Sequence, residues 1–291
     1  MTNSLPWREA PIVFDCGGDR LLGIVTVPEH ALRTGVVIVV GGPQYRAGSH
    51  RQFTLLARRL ATQGIASLRF DYRGMGDSEG DARSFEAVDD DVRAAIDTLL
   101  AHVPAVERVA LWGLCDGASA AMYYSGTDRR VSHLVLLNPW VHTEAGAARA
   151  RLRHYYLARL VSAGFWRKLL AGRVRLGTSL GELTKSAQAA SGAAADSGGP
   201  RDPRHGGAGY VERMRAGLAR FDGRVLVILS GNDLVAQEFA TLIEQDAGWR
   251  STCKRPAVSI RTLADANHTF SNRDWRATVE TWTASHVIGS S

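Results

Sequence analysis

Short apolar runs recur along the chain and alternate with longer segments in which apolar residues have helical spacing. Gly35 to Val40 is a continuous β-branched run, which is typical of a strand buried on both faces. Between Phe85 and His102 the apolar residues recur with the spacing of an amphipathic helix. Predicted strands and helices alternate from Gly35 to Leu137 and again from Arg224 to His286. This alternation favours an α/β protein with a doubly wound, mostly parallel sheet.

The other predicted elements follow the same pattern. A hairpin is expected from Pro11 to Pro28, because Gly17-Gly18-Asp19 separates two strand-like segments. Further strands are expected at Ala66 to Asp71, Val109 to Trp112, Val131 to Leu137, Arg224 to Leu229 and Ala257 to Leu263. Further helices are expected at His50 to Gln63, from Ala118 onward, and at Tyr210 to Ala219, Val235 to Gln245 and Arg273 to His286.

The alternation stops between residues 142 and 221, which we interpret as an inserted helical lid. Arg151 to Leu170 has a helical pattern, whereas Ser186 to Gly209 is rich in alanine, glycine and serine and is expected to be mobile. Open α/β sheets bind ligands at the carboxyl ends of their strands, and a lid would cover that edge. The predicted units are therefore core residues 1–141, lid residues 142–221 and core residues 222–291.

Composition and charge exclude several classes of protein. The 291 residues are 45% hydrophobic and 22% charged, which suits one large α/β domain with an insertion. The net charge is +6, but no compact basic run with interleaved aromatic residues occurs, so nucleic-acid binding is not expected. We interpret the arginines of the insertion as a solvent-exposed face. The alternative is that they guide an anionic or lipid-like substrate to the site or contact the surface of a membrane.

The three cysteines are Cys16, Cys115 and Cys253. They form no CxxC pair and have no metal-ligand spacing, and their odd number argues against a disulfide framework. No metal or cofactor is expected. Met1 to Pro11 lacks a signal-peptide core, and no segment has the length of a membrane span. The sequence therefore predicts a reduced, cytoplasmic protein, and it gives no indication of the oligomeric state.

The candidate chemistry begins at Gly113-Leu114-Cys115-Asp116-Gly117. This segment has the form of the Gly-x-Ser-x-Gly nucleophile elbow of α/β-hydrolases, with cysteine in place of serine. The strained turn requires small residues two positions before and after the nucleophile. A helix start and a nearby histidine lower a thiol pKa, whereas a carboxylate at Asp116 would raise it. The structural alternative is a plain turn with an inert cysteine, and the simplest role of Asp116 is helix capping.

Three residues at the carboxyl ends of predicted strands complete a catalytic set. Cys115, Asp233 and His268 occur in the chain order of the α/β-hydrolase triad. His268 is expected to take the thiol proton and later to activate water, while Asp233 holds its tautomer. The alternative for Asp233 is a turn aspartate, and Asp265 is the rival acid partner. The resemblance predicts an α/β-hydrolase fold with a helical lid insertion.

An oxyanion hole requires two backbone N–H groups. One is expected from Asp116, the residue after the nucleophile. The second should come from the loop after the first parallel strand. Since Pro43 has no N–H, Gln44 or Gly42 must supply it, and the sequence does not choose between them. Gln44 is the candidate carried forward.

Three stretches resemble one group within the superfamily. They are Gly41 to Arg46 with Gly48 to Arg51, Arg69 to Ser78, and Leu111 to Asp116. Together they are similar to the first of the two α/β-hydrolases associated with the bacterial exosortase A (PEP-CTERM) system, a family with cysteine at the elbow. The resemblance implies a setting of exopolysaccharide production and protein sorting, with no established substrate.

The expected activity is hydrolysis of a small acyl substrate, an ester or thioester, through an acyl-enzyme on Cys115. An acyltransferase with the same triad is the nearest alternative. A non-catalytic binding or regulatory protein with a sensing thiol is the alternative from another class. Asp116, beside Cys115, keeps that last alternative open.

Overall fold

The computed structural model describes residues 6–42, 44–141 and 209–289. Within them, eight strands form one sheet in the order β1-β2-β4-β3-β5-β6-β7-β8. The pairs β1–β2 and β2–β4 are antiparallel, and all other neighbouring pairs are parallel. The strands are β1 (Trp7–Cys16), β2 (Asp19–Pro28), β3 (Thr34–Val39), β4 (Ser67–Phe70), β5 (Arg108–Leu114), β6 (Val131–Leu137), β7 (Arg224–Ser230) and β8 (Val258–Leu263). The predicted mostly parallel sheet is confirmed.

The helices lie where the apolar periodicity predicts them, with two exceptions. The described helices are α1 (Gln52–Ala61), α2 (Asp89–His102), α3 (Asp116–Ser125), α4 (Tyr210–Arg220), α5 (Leu234–Gln245), α6 (Ala247–Cys253) and α7 (Arg273–Ile288). The helix predicted from Phe85 begins instead with a separate 3₁₀ turn, Phe85–Ala87, before α2. The short helix α6 was not predicted. Its N-terminus is capped by Asp246, which accepts the Trp249 N–H at 2.8 Å.

Strand β3 shows how the sheet is buried on both faces. Val37 and Val39 pack with the core on the side of α2 to α6, whereas Val36 and Ile38 pack with the core on the side of α1 and α7. Successive side chains of a strand point to opposite faces, so a continuous apolar run fits a sheet with helices on both sides. The helices thus cover both faces and leave the carboxyl ends of the strands as the edge for chemistry.

The predicted lid lies largely outside the described residues. Of residues 142–221, the structure describes Gly209 onward, including α4, which agrees with the helix predicted at Tyr210 to Ala219. Helix α4 packs closely on α3, since a Cβ atom at Gly217 would clash with the carbonyl oxygen of Met122. In the described ranges, no helix combines the length and apolarity needed to cross a membrane.

Candidate active site

Cys115 lies in the turn between β5 and α3 with φ 61° and ψ −125°. Positive φ is uncommon for a residue with a side chain and is strained, at a cost of about 1–3 kcal/mol. Hydrogen bonds hold the turn on both sides. The Cys115 N–H donates to Leu137 O (2.9 Å), and its carbonyl oxygen accepts the N–H groups of Ala118 (3.0 Å) and Ser119 (3.2 Å). The sharp strand-to-helix turn presents the thiol at the carboxyl edge of the sheet.

The two glycines of the elbow are required by space. A Cβ atom at Gly117 would lie 2.5 Å from the carbonyl oxygen of Val39, in the neighbouring strand. A Cβ atom at Gly113 would lie 2.5 Å from the backbone nitrogen of Ala118. The prediction that small residues must flank the nucleophile by two positions is confirmed.

Asp233 and His268 come together at the same edge of the sheet. Asp233 follows β7 and caps α5, with its Oδ2 atom accepting the Ala236 N–H at 3.1 Å. The same oxygen lies 2.9 Å from His268 Nδ1. Asp265, the rival acid partner, is exposed to solvent. The geometry therefore favours Asp233 as the partner of His268, with its orientation fixed by the helix that it caps.

The loop that carries His268 is tied to the sheet by two polar residues that the sequence analysis did not identify. Asn138 ends β6 and is fully buried. Its Nδ2 donates to His268 O (3.0 Å) and to Ser230 Oγ (2.8 Å), while its Oδ1 accepts the Ser230 N–H (2.8 Å). The Ser230 hydroxyl in turn donates to Asn267 O at 2.9 Å. The feature of the sequence that could have identified Asn138 and Ser230 is a polar residue at the end of an apolar strand segment.

The carboxylate of Asp116 lies at the start of α3 and against the loop after β3. Its Oδ1 accepts the Gly117 N–H at 3.1 Å. A Cβ atom at Gly41 would clash with Oδ1, so this glycine leaves room for the carboxylate. The predicted cap role is therefore incomplete, because Asp116 joins the start of α3 to the loop after β3.

The second oxyanion donor stays a prediction. Gly42 lies beside the elbow, since a Cβ atom there would be 3.9 Å from Asp116 Oδ1. The Gln44 side chain turns to its own loop, where Oε1 accepts the Ser49 N–H at 3.3 Å, but the expected donor is its backbone N–H. Gln44 and Gly42 are therefore both kept as candidates.

The environment of Cys115 works against its ionisation. Burial, together with the negative charges of Asp116 and Asp233, raises the pKa of the thiol to about 12, and the nearby Asp116 N–H opposes this only in part. Of the two opposing effects that the sequence indicated, the one of Asp116 acts together with burial and outweighs the lowering expected from the start of the helix. Burial also raises the pKa of Asp116, against the opposing N–H groups of Gly42 and Gly117 and the charge of His268. At neutral pH the thiol is protonated.

Tyr210 is a buried residue of the insertion whose packing the sequence analysis did not predict. It is the first residue of α4, and its ring lies edge-on to Phe85 at 5.6 Å between centroids. Burial and the charges of Glu238 and Cys115 raise the pKa of its hydroxyl. Tyr210 thus packs the described end of the insertion against the core.

The remaining cysteines have no comparable surroundings. Cys16 and Cys253 are buried, and burial raises the pKa of Cys253 to about 11. All three thiols are free. Over the described ranges, no three His, Cys, Asp or Glu side chains are grouped so as to hold a metal ion. The chemistry of this site is that of a thiol, an imidazole and carboxylates.

The sequence pattern of the family described as "Serine aminopeptidase, S33" matches residues 33–244, which is more than half of the chain. The chain belongs to this family. The match begins one residue before β3 and includes the elbow, the insertion and Asp233. The S33 family is an α/β-hydrolase family, and this member has Cys115 where the family name implies serine.

Solved structures confirm the α/β-hydrolase fold of this S33-family chain. The Pyrococcus furiosus esterase Pf2001 superposes with a TM-score of 0.62 at 15% identity, covering 97% of this chain and 94% of that one. Est1E from Butyrivibrio proteoclasticus, solved with ferulic acid bound, gives a TM-score of 0.61 at 15% identity, covering 96% and 100%. Identities this low support the shared fold alone.

Curated relatives match the S33-family chain over shorter stretches. The quorum-quenching protein AidA of Acinetobacter baumannii is 26% identical over 147 residues, which are 47% of this chain and 46% of AidA. The uncharacterized protein PA2218 of Pseudomonas aeruginosa is 32% identical over 124 residues, which are 41% and 29%. The chain spans less than half the length of the curated relatives it matches.

Proposed function

We propose that this S33-family protein is an ester or thioester hydrolase that forms an acyl-enzyme on Cys115. The observation that carries the proposal is the Asp233–His268 hydrogen bond, 2.9 Å long, at the sheet edge where Cys115 occupies a strained elbow. Nucleophile, base and acid follow three parallel strands of one sheet, as in the triads of α/β-hydrolases. Esterases among the structural neighbours add support.

The raised thiol pKa determines how the reaction must begin. Because the thiol of Cys115 is protonated at neutral pH, His268 has to accept its proton as Sγ attacks the carbonyl carbon. Asp233 then stabilises the imidazolium that forms. The carbonyl oxygen becomes an oxyanion, which in this proposal is stabilised by the N–H groups of Asp116 and of Gln44 or Gly42. This first step differs from that of enzymes in which the thiolate–imidazolium pair exists before the attack.

Collapse of the tetrahedral intermediate gives the acyl-enzyme. The C–O or C–S bond of the substrate breaks, and the leaving alkoxide or thiolate takes the proton from His268. Water then attacks the thioester on Cys115 while His268 accepts its proton. The bond between the acyl carbon and Sγ breaks, the expelled thiolate takes the proton from His268, and the carboxylic acid is released. Activated carbonyls suit this chemistry better than amides, because a thiolate is expelled more readily than an amine.

The biological setting is a finer part of the proposal. The motifs at Gly41 to Arg46 and Leu111 to Asp116 support membership of the exosortase A-associated type, and hence a link to exopolysaccharide production. A small acyl substrate of anionic or lipid-like character fits the arginine-rich insertion. The three free cysteines fit a reducing compartment such as the cytoplasm.

Intact-mass analysis during turnover tests the proposal. Incubation with p-nitrophenyl and coenzyme A esters of several chain lengths should add one acyl group to the protein, and peptide mapping should place it on Cys115. Cys115→Ala should lose both adduct and turnover while it keeps its fold. Absence of adduct and of turnover across all chain lengths would contradict the proposal.

A second candidate, a non-catalytic binding or regulatory protein, is favoured by one observation. The carboxylate of Asp116 lies beside Cys115, and its charge, together with burial, raises the pKa of that thiol to about 12. This candidate predicts that acyl compounds bind without covalent capture, so that Cys115→Ala binds them as well as the wild type does. An acyltransferase, in contrast, would form the acyl-enzyme and transfer its acyl group to an added alcohol or amine.

A further inference from the structure

The loop after β3, which carries both candidates for the second oxyanion donor, is held at Arg46 by side chains from β4 and its end. The Arg46 N–H donates to Asp71 Oδ1 at 2.6 Å, and the Arg46 carbonyl oxygen accepts a hydrogen bond from Arg69 Nη1 at 3.4 Å. The guanidinium of Arg46 also binds Asp71 Oδ2. One residue of the loop is thus fixed through its N–H, its carbonyl oxygen and its side chain.

Asp71 is a rigid anchor for these contacts. It directly follows β4, and its side chain is fully buried. Its own N–H donates to Leu22 O at 3.0 Å, and its carbonyl oxygen accepts the Ser78 hydroxyl at 2.6 Å. The carboxylate also accepts the Asp77 N–H at 3.2 Å, and a Cβ atom at Gly76 would clash with Oδ2. Asp71 is therefore fixed to the sheet independently of the loop after β3.

From these contacts we infer that Arg46 and Asp71 are positioning residues, whose ion pair holds the loop after β3 where it can supply the second oxyanion donor. This inference rests on the proposed function, since acyl transfer is the chemistry that uses such a donor. Arg46 lies two residues after Gln44 and four after Gly42, so either candidate depends on its position. The pair acts through the backbone of the loop and not on the substrate itself.

Burial distinguishes this pair from the ion pairs of the surface. Arg20 and Glu79 join β2 to the loop after β4 (residues 71–80), and their side chains are 67% and 46% exposed. The side chains of Arg46 and Asp71 are 16% and 0% exposed, and Arg46 Nη2 also lies 2.7 Å from Asp77 Oδ2. A buried ion pair tolerates little displacement, because a separated charge would be left without its partner. The pair is therefore suited to hold a loop in one place.

Two reactions of Cys115 separate the loop after β3 from the nucleophile. Ester turnover needs a stabilised oxyanion, whereas alkylation by iodoacetamide does not, because Sγ displaces iodide from a CH₂ group. In Arg46→Ala, kcat for a p-nitrophenyl ester should fall about 10- to 100-fold with little change in KM, since outright removal of an oxyanion donor costs about 10²- to 10³-fold. Alkylation of Cys115, followed by peptide mass spectrometry, should keep its wild-type rate, because burial and the charges of Asp116 and Asp233 are unchanged.

Two further variants test whether the effect comes from the ion pair. Arg46→Lys keeps the charge but loses the forked geometry that reaches two carboxylates, so it should recover only part of kcat. Arg20→Ala is the matched control, because it removes an ion pair between β2 and the loop after β4, and it should keep the wild-type kcat. A fall of kcat in Arg20→Ala as large as that in Arg46→Ala would overturn the inference.

A double variant tests whether the two residues act as one unit. If Arg46 and Asp71 work through a single contact, Arg46→Ala combined with Asp71→Asn should lose about as much kcat as the worse single variant. Losses that multiply in the double variant would contradict the inference. If Asp71→Asn does not fold, Arg46→Ala and Arg46→Lys carry the test.

Hydrogen exchange tests the same contact without activity. In Arg46→Ala, peptides that cover the loop after β3 should exchange their amide hydrogens faster than in the wild type, as measured by mass spectrometry. Peptides that cover β5 and α3 should keep their wild-type exchange. Unchanged exchange in the loop would overturn the inference. An equal rise in β5 and α3 would also overturn it, since a general loss of stability would then explain the fall in kcat.

Failure of the proposed function gives a different pattern. In that case the wild type itself shows neither ester turnover nor an acyl adduct, and the oxyanion role of the pair fails with the proposed function. If the wild type turns over ester and Arg46→Ala keeps its kcat, the proposed function stands and the inference alone is wrong. A parallel fall of kcat and of the alkylation rate would also overturn the inference, because Arg46 would then act on the nucleophile.

Discussion

Cys115 combines two features with opposite effects on a nucleophile. The elbow holds the thiol in a fixed position, which favours attack through orientation. The same burial, with Asp116 beside it, raises the thiol pKa to about 12 and disfavours the thiolate. In the proposed mechanism, reactivity therefore depends on His268 as a proton acceptor and on the residues that fix its ring. At the scale of single residues, Asp233 and Asn138 are the residues that fix the position of His268.

Asp233→Asn tests the orientation of the base. The amide would favour the wrong imidazole tautomer of His268, a change that costs about 10⁴-fold in a serine protease triad. Because the thiol here starts protonated, we expect a loss of kcat of about 10³- to 10⁴-fold, measured with a p-nitrophenyl ester. Asp265→Asn is the matched control and should stay close to wild type. A larger loss in Asp265→Asn would show that the acid is assigned to the wrong residue.

Asn138→Gly tests the support beneath His268. Glycine keeps the positive φ of this position (43°) but removes the amide that holds His268 O and Ser230. Freed from β6, the loop should misplace the imidazole, and a displacement of about 1 Å can cost about 10²-fold in rate. We expect kcat to fall with little change in KM. A variant whose kcat is unchanged, despite lower thermal stability, would restrict Asn138 to a structural role.

The sequence predicted the residues at the strand ends and missed what surrounds them. Cys115, Asp233 and His268 were predicted because each follows an apolar run, and parallel strands bring their carboxyl ends to one edge. The choice between Gly42 and Gln44 as the second oxyanion donor depends on the path of a loop, which the spacing of apolar residues does not predict. The position of the Asp116 carboxylate depends on a second segment, the loop after β3, so the local pattern indicated only a cap.

At the scale of elements, α3 links the nucleophile to the described end of the insertion. It carries the elbow at its first turn, and α4 packs on it so closely that a Cβ atom at Gly217 would clash with Met122 O. Such a contact leaves no room for a side chain, so a larger residue in α4 would displace one helix from the other. The position of Tyr210, the first residue of α4, depends on the same contact.

Gly217→Ala tests this crossing. Alanine gains helix propensity of about 1 kcal/mol over glycine, but its Cβ atom would collide with Met122 O. Overpacking of this kind typically costs about 1–3 kcal/mol, so we expect a net loss of stability in urea unfolding and lower esterase activity. Gly126→Ala is the control in the same interface, because its nearest neighbour would lie at an ordinary 3.4 Å. Equal stability of the two variants would contradict the tight crossing.

The elements themselves were predictable where periodicity was strong. Parallel strands buried on both faces gave unbroken apolar runs, and α2 and α7 gave helical spacing. Helix α6 was not predicted, because its seven residues are too few to display a period. The break before α2 was missed for a related reason, since the 3₁₀ turn Phe85–Ala87 keeps its apolar residue in phase with the helix that follows.

At the scale of the whole molecule, the two ends of the sheet carry different chemistry. The carboxyl ends of β5, β7 and β8 lead to Cys115, Asp233 and His268. Near the amino end of β6, His133 packs edge-on against His286 of α7, with 5.4 Å between ring centroids. Burial, together with neighbouring positive charge, lowers the pKa of both histidines to about 4. These two histidines are thus remote from the candidate site.

This separation predicts how stability depends on pH. Free histidine titrates at about pH 6.5, whereas His133 and His286 in the folded chain bind a proton only at about pH 4. Between these two pH values, the unfolded chain therefore binds more protons than the folded chain does. The free energy of unfolding should therefore fall as the pH is lowered through this window. His286→Gln removes one such group, so the slope measured by urea unfolding from pH 7 to pH 4.5 should decrease by about one proton. His30→Gln, at an exposed histidine, should keep the wild-type slope, and an equally steep slope in His286→Gln would refute the assignment.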